Sequence, residues 1–413
     1  MSRVVITGTG AITGMGNGIG SLMEGIEKAR CATVRMPGWE KYTGLRSLVG
    51  VPVDLPDAGH IPRKARRSMG RLSLLAVFAA EEAISSAAID REILQGRGCG
   101  CVVGSTMGGA EALNDTFETM LPDHDLSKLS AMKFFQSVPH TAAMNIAQFL
   151  GLKGTVMATA AACASSLQAI GTGFDLIRSG RESIMLCGGA EELHPTVTGS
   201  FDIMFASSAG FNDTPSRTPR PFDRERDGIV CGEGAGILVL EDYEHARNRG
   251  AAILAEITGY STCGSGAHVS QADMGSMVRC MNSALGQAGA DPSEIDFVSA
   301  HATATRHGDA QEAKAVASVL GPDIPVQSLK GYIGHTLGAS GAVELAAALE
   351  MMKSGTIHPT VNLDRVDEDC RGIFHVTETM EKEINMILKN CFAFGGINAS
   401  LVCRKYNPEK PNG

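Results

Sequence analysis

Thr159-Ala160-Ala161-Ala162-Cys163-Ala164-Ser165-Ser166 is a run of small residues that leads straight into an amphipathic helix. Leu167, Ile170, Phe174 and Ile177 recur at helical spacing and Gly180 supplies the stop, so the pattern predicts a helix over 164–178 with Cys163 at its N-terminal end. A thiol there faces unpaired backbone N–H groups and the positive end of the macrodipole. Both favour a thiolate and should bring its pKa below the free value of about 8.5. Small flanking residues leave room for a bulky substrate at the sulfur. Outward from this helix, short apolar β-rich runs at 4–6, 100–103, 184–187, 237–240, 295–299 and 401–403 alternate with helical patterns at 72–86, 310–320 and 339–353. Strands that turn repeatedly into helices predict α/β layers.

The chain has 413 residues, of which 44% are hydrophobic, enough for two packed domains. The charged, helix-like stretch 241–250 separates two halves, and a new strand is expected at 251–257. We place the boundary there, giving units 1–250 and 251–413. Residues 201–227, rich in Pro, Arg, Asp and Ser, are expected to form a long surface loop. A net charge of -9 argues against general nucleic-acid binding. The local exception is a basic cluster, Arg63, Lys64, Arg66, Arg67 and Arg71, with no acid among them.

The cysteines lack zinc-type spacing, and Cys99 and Cys101 read as alternate residues of a buried strand. No metal or organic cofactor is implied, and a reduced, cytoplasmic setting is expected. The opening apolar run is too short for a signal peptide and no segment reaches membrane-spanning length. Gly8-Thr9-Gly10-Ala11-Ile12-Thr13-Gly14 has the wrong glycine spacing for a dinucleotide fingerprint.

Two histidines share the chemical promise of Cys163. His301, in Ser299-Ala300-His301-Ala302-Thr303-Ala304-Thr305, follows a strand, at the end where α/β folds place ligands. His335, in Lys330-Gly331-Tyr332-Ile333-Gly334-His335-Thr336, precedes a helix whose positive end disfavours imidazolium. A neutral His335 donates a hydrogen bond without losing a proton. Lys330 and Glu344 can pair if the loop folds back on the helix, which would set local charge. The stretch Phe392-Ala393-Phe394-Gly395-Gly396-Ile397-Asn398 lets the backbone turn sharply and present an N–H to a ligand. With the N–H of Cys163 it could make an oxyanion hole.

In this order, these motifs, with Arg3 to Gly8, Arg220-Pro221-Phe222-Asp223, Arg226-Asp227-Gly228 and Gly232-Glu233-Gly234-Ala235-Gly236, resemble the β-ketoacyl-acyl-carrier-protein synthases, synthase II above all. The resemblance covers nearly the whole chain. It implies a thiolase-like fold, two similar α/β halves in an αβαβα arrangement, and decarboxylative condensation. Cys163 would carry the acyl chain as a thioester, while His301 and His335 hold the malonyl thioester carbonyl as its carboxylate leaves. Lys330, held by Glu344, would tune charge. The N–H groups of Cys163 and Phe394 would receive the tetrahedral oxyanion, and Phe394 would act as a gate. The resemblance further assigns Met107 to the acyl pocket and Ser270, Thr303 and Thr305 to the pantetheine arm, with Phe392 and Gly395 beside the substrate. Partners implied are acyl carrier protein in its acyl and malonyl forms, and a second copy of the chain. The basic patch at Arg63, Lys64, Arg66 and Arg67 would steer that acidic carrier to the tunnel mouth.

The chain departs from the family pattern at four places: Ala302 and Ala393 replace glycines, Ile397 a threonine, and Phe205 an arginine that touches the carrier. Three other readings stand beside fatty-acid elongation. One is a ketosynthase of a dedicated polyketide or polyene pathway, and another is a non-catalytic chain-length-factor-like partner, which would lack the cysteine. A degradative thiolase would need a second cysteine in a Cys-Gly-x-Gly setting, and Cys391 is out of place for it.

Overall fold

The computed structural model of the protein describes residues 2–121 and 123–408. Its eleven principal strands are β1 (Val4–Thr13), β2 (Cys99–Gly104), β3 (Val156–Thr159), β4 (Ile184–Glu191), β5 (Gly234–Asp242), β6 (Ala255–Gly264), β7 (Phe297–Ser299), β8 (Pro325–Gln327), β9 (Phe374–His375), β10 (Met386–Ala393) and β11 (Ile397–Lys405). Seven helices matter for the site: α1 (Arg71–Ser86), α2 (Thr141–Leu150), α3 (Ser165–Arg178), α4 (Pro195–Ile203), α5 (Met274–Ala288), α6 (Arg306–Leu320) and α7 (Ser340–Ser354).

The strands run β9-β8-β7-β10-β11-β6-β1-β5-β4-β2-β3 across one mixed sheet. From the central β1/β6 pair outward, β1-β5-β4-β2-β3 on one side repeats β6-β11-β10-β7-β8 on the other. The repeat extends to sense: β1/β5 and β6/β11 are antiparallel, while β2/β3 and β7/β8 are parallel. Helices repeat too, with α1 and α5 after the first strand of each set, α2 and α6 after the second, and α3 and α7 after the third. This is a thiolase-like arrangement.

Two helices occupy the middle layer. α3 and α7 touch one another and strands of both halves, whereas α1 and α2 cover the first half from outside and α5 and α6 the second. The strands are accordingly apolar on both faces, as in β4, where every residue is buried. Close approach in this layer depends on glycine. A Cβ on Gly341 of α7 would stand 2.9 Å from the Leu167 backbone N of α3, and one on Gly236 of β5 would stand 2.6 Å from the Val343 N.

Periodicity located the helices to within a few residues but undersized the strands. β1 continues to Thr13 because Gly8 and Gly10 are pressed against α1, where an added Cβ would meet backbone oxygens at 2.3 and 2.1 Å. The glycine run that looks like a turn is therefore a strand under a helix. The expected surface loop at 201–227 is also corrected. Part of its charge turns inward: Arg220 and Arg226 are buried, Arg220 on Asp223 and Asp364, Arg226 on Asp367 and Asp309, while Asp213, Arg217, Arg224 and Glu225 stay exposed. Arg71, counted with the basic cluster, likewise points inward and pairs with Glu233 at 2.5 Å.

Candidate active site

Cys163 stands just ahead of α3, on a connection in which Ala162 has a left-handed φ of 47°. That conformation strains a residue with a Cβ and is held by the Ser165 hydroxyl, which accepts from the Ala161 N–H at 2.8 Å and donates to the Ala162 carbonyl at 2.7 Å. Two further non-glycine residues with positive φ, Ala304 and Leu337, flank the histidine loops.

His301 leaves the end of β7. Its loop is clamped from behind by buried carboxylates of α6: Glu312 accepts from the N–H groups of His301 and Ala302 at 2.8 and 2.6 Å, and Asp309 from that of Thr303 at 2.9 Å. His335 is fixed through its backbone, its N–H donating to Val230 and its carbonyl accepting from Gly232. Buried Glu191 ties the turn at Thr106 and Met107 to the Gly338 N–H, so the two halves are bolted together beside the site.

These connections converge. His335 Nε2 is 2.9 Å from Cys163 Sγ, and the His301 and His335 rings meet edge to face with centroids 5.3 Å apart. Sγ and one ring nitrogen of each histidine lie within 4.8 Å of one another. The three residues border a cavity of about 360 Å³. Thr303, Thr305, Ser270, Phe392 and Phe394 also line it, and Phe394 stacks on Phe201 with centroids 6.0 Å apart.

Behind the histidines is a buried ion cluster. Lys330 Nζ donates to Glu344 Oε1 at 2.6 Å, as the motif spacing suggested, and a second lysine, Lys389 of β10, grips the other oxygen of Glu344. Lys389 also reaches the carbonyls of Ser299 and Ala300, immediately before His301. The lysine has no local signature, since a single cation in an otherwise apolar strand looks like an outward-facing residue. Its partner is 45 residues away in the chain.

Burial decides the charge states. It holds both histidines well below their ordinary 6.5, and the charges of Lys330 and Lys389 push in the same direction, so both rings are neutral. The expectation for Cys163 is corrected: burial pushes the thiol up to about 12, with Lys330 opposing. Loss of solvent outweighs the helix terminus, and the sulfur of the unliganded site is a thiol.

Other expected site residues lie elsewhere. Met107 is 43% exposed and outside the cavity lining, and Gly395 sits at the exposed tip of the β10/β11 hairpin. Phe205, by contrast, borders the cavity and is exposed there under the Arg46 guanidinium, 4.3 Å from its ring centroid. Arg63, Lys64 and Arg67 are exposed and Arg66 half-buried, with Lys64 and Arg67 bordering a separate depression beside Met132 and Phe135. The basic cluster is thus not at the mouth of this chain's own cavity. Among the described residues no helix is long and apolar enough to cross a membrane.

The beta-ketoacyl synthase N-terminal domain matches residues 1–246 and the C-terminal domain residues 254–364. The chain is 34% identical to 3-oxoacyl-[acyl-carrier-protein] synthase 1 of Escherichia coli K12, covering 98% of this chain and 99% of that one. Among solved structures, a beta-ketoacyl synthase from Burkholderia phymatum STM815 is 40% identical with a TM-score of 0.95, covering 98% of this chain and 100% of the other. A type II polyketide ketosynthase, solved with its acyl-carrier protein and bound to a hexaketide, is 29% identical with a TM-score of 0.90 over 98% of this chain and 100% of that one.

Proposed function

This chain belongs to the beta-ketoacyl synthase family, and from that premise we propose that it condenses an acyl group held on Cys163 with malonyl-acyl-carrier protein during fatty-acid elongation. It is an acyltransferase of the ketosynthase type. The observation that carries the reading is the juxtaposition of Cys163 Sγ with two neutral, buried histidines on the wall of one cavity.

The chemistry runs in two halves. Cys163 sulfur attacks the acyl thioester carbonyl, the C–S bond to the carrier breaks, and the carrier leaves as its thiol. The N–H groups of Cys163 and Phe394 hold the oxyanion meanwhile. Malonyl carrier then enters, its carboxylate leaves as CO₂, and the electron pair moves onto the thioester oxygen, where N–H donors of His301 and His335 receive it. The resulting carbanion attacks the Cys163 thioester, the C–S bond to Cys163 breaks, and the departing thiolate takes up one proton from solvent to restore the thiol. Neutral histidines fit this sequence because they arrive as donors. Lys330, Glu344 and Lys389 leave the region behind them rich in positive charge, which favours the enolate.

We further take the enzyme to work in the cytoplasm as a homodimer, with units 1–250 and 251–413 as its two halves. Support for pairing is the edge strand β3, whose Val156 and Met157 are exposed and whose free edge offers unpaired backbone groups to a second copy. A dedicated polyketide or polyene ketosynthase is the second reading, favoured by the extra carbon at Ala302, Ala393 and Ile397. The non-catalytic partner reading conflicts with the intact Cys163, His301 and His335.

The test is elongation by the purified protein with malonyl carrier and acyl primers of graded length, read by product mass. A longer 3-oxoacyl product, lost in Cys163→Ala, is expected. Release of CO₂ without a longer product would sink the reading.

A further inference from the structure

The imidazole of His335 has two nitrogens with different partners. Nε2 meets Cys163 Sγ at 2.9 Å, and Nδ1 meets the hydroxyl of Ser340, the first residue of α7, also at 2.9 Å. The Ser340 hydroxyl is 3.4 Å from that of Thr336. Thr336, His335 and Ser340 are all buried, and the Thr336 hydroxyl has Ser340 as its one hydrogen-bond partner among the described residues.

Counting protons gives this chain a direction. If Nδ1 carries the proton, it donates to Ser340, and only one of the Ser340 and Thr336 hydroxyl protons then finds an acceptor, so the other is left buried without one. If Nε2 carries it, Thr336 donates to Ser340, Ser340 donates to the bare Nδ1, and Nε2–H points at the sulfur. Every hydroxyl proton is then placed, and the group left without an acceptor is at most a thiol S–H, the weakest donor of the set. His301 offers a contrast, because its buried Nδ1 has no hydrogen-bond partner among the described residues.

We propose that Thr336 and Ser340 form a hydroxyl relay that selects the Nε2–H tautomer of His335, making Ser340 a positioning residue for condensation. The thiol of Cys163 works against it, since an S–H can donate only to an unprotonated Nε2. The relay holds the N–H toward the cavity whether the sulfur is free or acylated. The donor for the malonyl oxygen therefore does not have to be regenerated between half-reactions. No group is reduced or oxidised, and no proton leaves the triad.

The catalytic consequence rests on the function proposed above; the tautomer itself does not. The test uses the full-length protein with ¹⁵N-labelled histidine. The His335 resonances, assigned by their loss in His335→Gln, should report an unprotonated Nδ1 and a protonated Nε2. Ser340→Ala should move them toward the other tautomer. It should also lower kcat for malonyl-thioester decarboxylation about tenfold with KM nearly unchanged, and Ser340→Thr, which keeps the hydroxyl, should recover both. Unchanged His335 shifts in Ser340→Ala would overturn the proposal, as would an Nδ1–H tautomer in the native protein. If the tautomer moves but the native protein does not decarboxylate malonyl thioesters, the proposed function fails while the relay stands.

Discussion

The imidazoles of His301 and His335 sit below their ordinary 6.5 because burial and two lysines both oppose a positive ring. If each must be neutral to donate to the enolate oxygen, activity is lost only when pH drops through those lowered values. Malonyl-thioester decarboxylation should therefore hold its rate as pH falls from neutrality through 6.5. An acid limb centred at 6.5 or above would contradict this. Lys389→Met removes one of the two opposing charges and should move the limb upward, with Glu312, Glu344 and Lys330 the other charged groups facing the rings. Replacing either histidine by alanine should cut decarboxylation by about 10² to 10³, the usual loss for a donor to a developing oxyanion. Cys163, the histidines, Lys330 and Glu344 were legible because each stands in a motif with a turn or helix boundary beside it. Ser340 and Lys389 were not. A serine opening a helix and a lysine in a strand acquire roles only through partners that tertiary folding brings to them.

At the scale of elements, the geometry of the site is that of two helix ends. α3 and α7 cross where Gly341 lies against Leu167 and the Ser166 hydroxyl, so their separation fixes the distance from Cys163 to His335. Gly341→Ala should cost about 1–3 kcal/mol by overpacking, read as a lower Tm. It should reduce kcat by about tenfold or more, since a misplacement of about 1 Å can cost about a hundredfold. A stable variant with native kcat would show that the helices can part without moving the sulfur. The helix periods were readable from sequence because the apolar repeat is local. The strands were harder, as in β1, where glycines chosen for contact with α1 imitate a turn.

For the whole molecule, the proposed homodimer and carrier docking each have a direct test. The native mass should be twice the 43.2 kDa of one chain by analytical ultracentrifugation, and Met157→Lys on β3 should shift it toward monomer with loss of activity. Reversing Arg63, Lys64 and Arg67 to glutamate should raise KM for malonyl carrier by about an order of magnitude at low salt, leaving KM for a small malonyl thioester unchanged. An equal rise for both substrates would mean the patch supports the fold instead of the carrier. The α/β class was readable from alternation alone. The inward turn of Arg220 and Arg226 was not, because each also needs a carboxylate more than a hundred residues away, Asp364 and Asp367.

The repeated strand order has a last consequence. Cys163 and His335 occupy corresponding connections, each leading into the central helix of its half. Two identical halves assembled as a symmetric pair would present the same side chain at both places, sulfur to sulfur or ring to ring. Unlike groups can face one another across that pseudo-axis only where the two halves are encoded separately, as they are within this polypeptide. The asymmetry that makes this pocket reactive is thus a property of the sequence divergence of the halves.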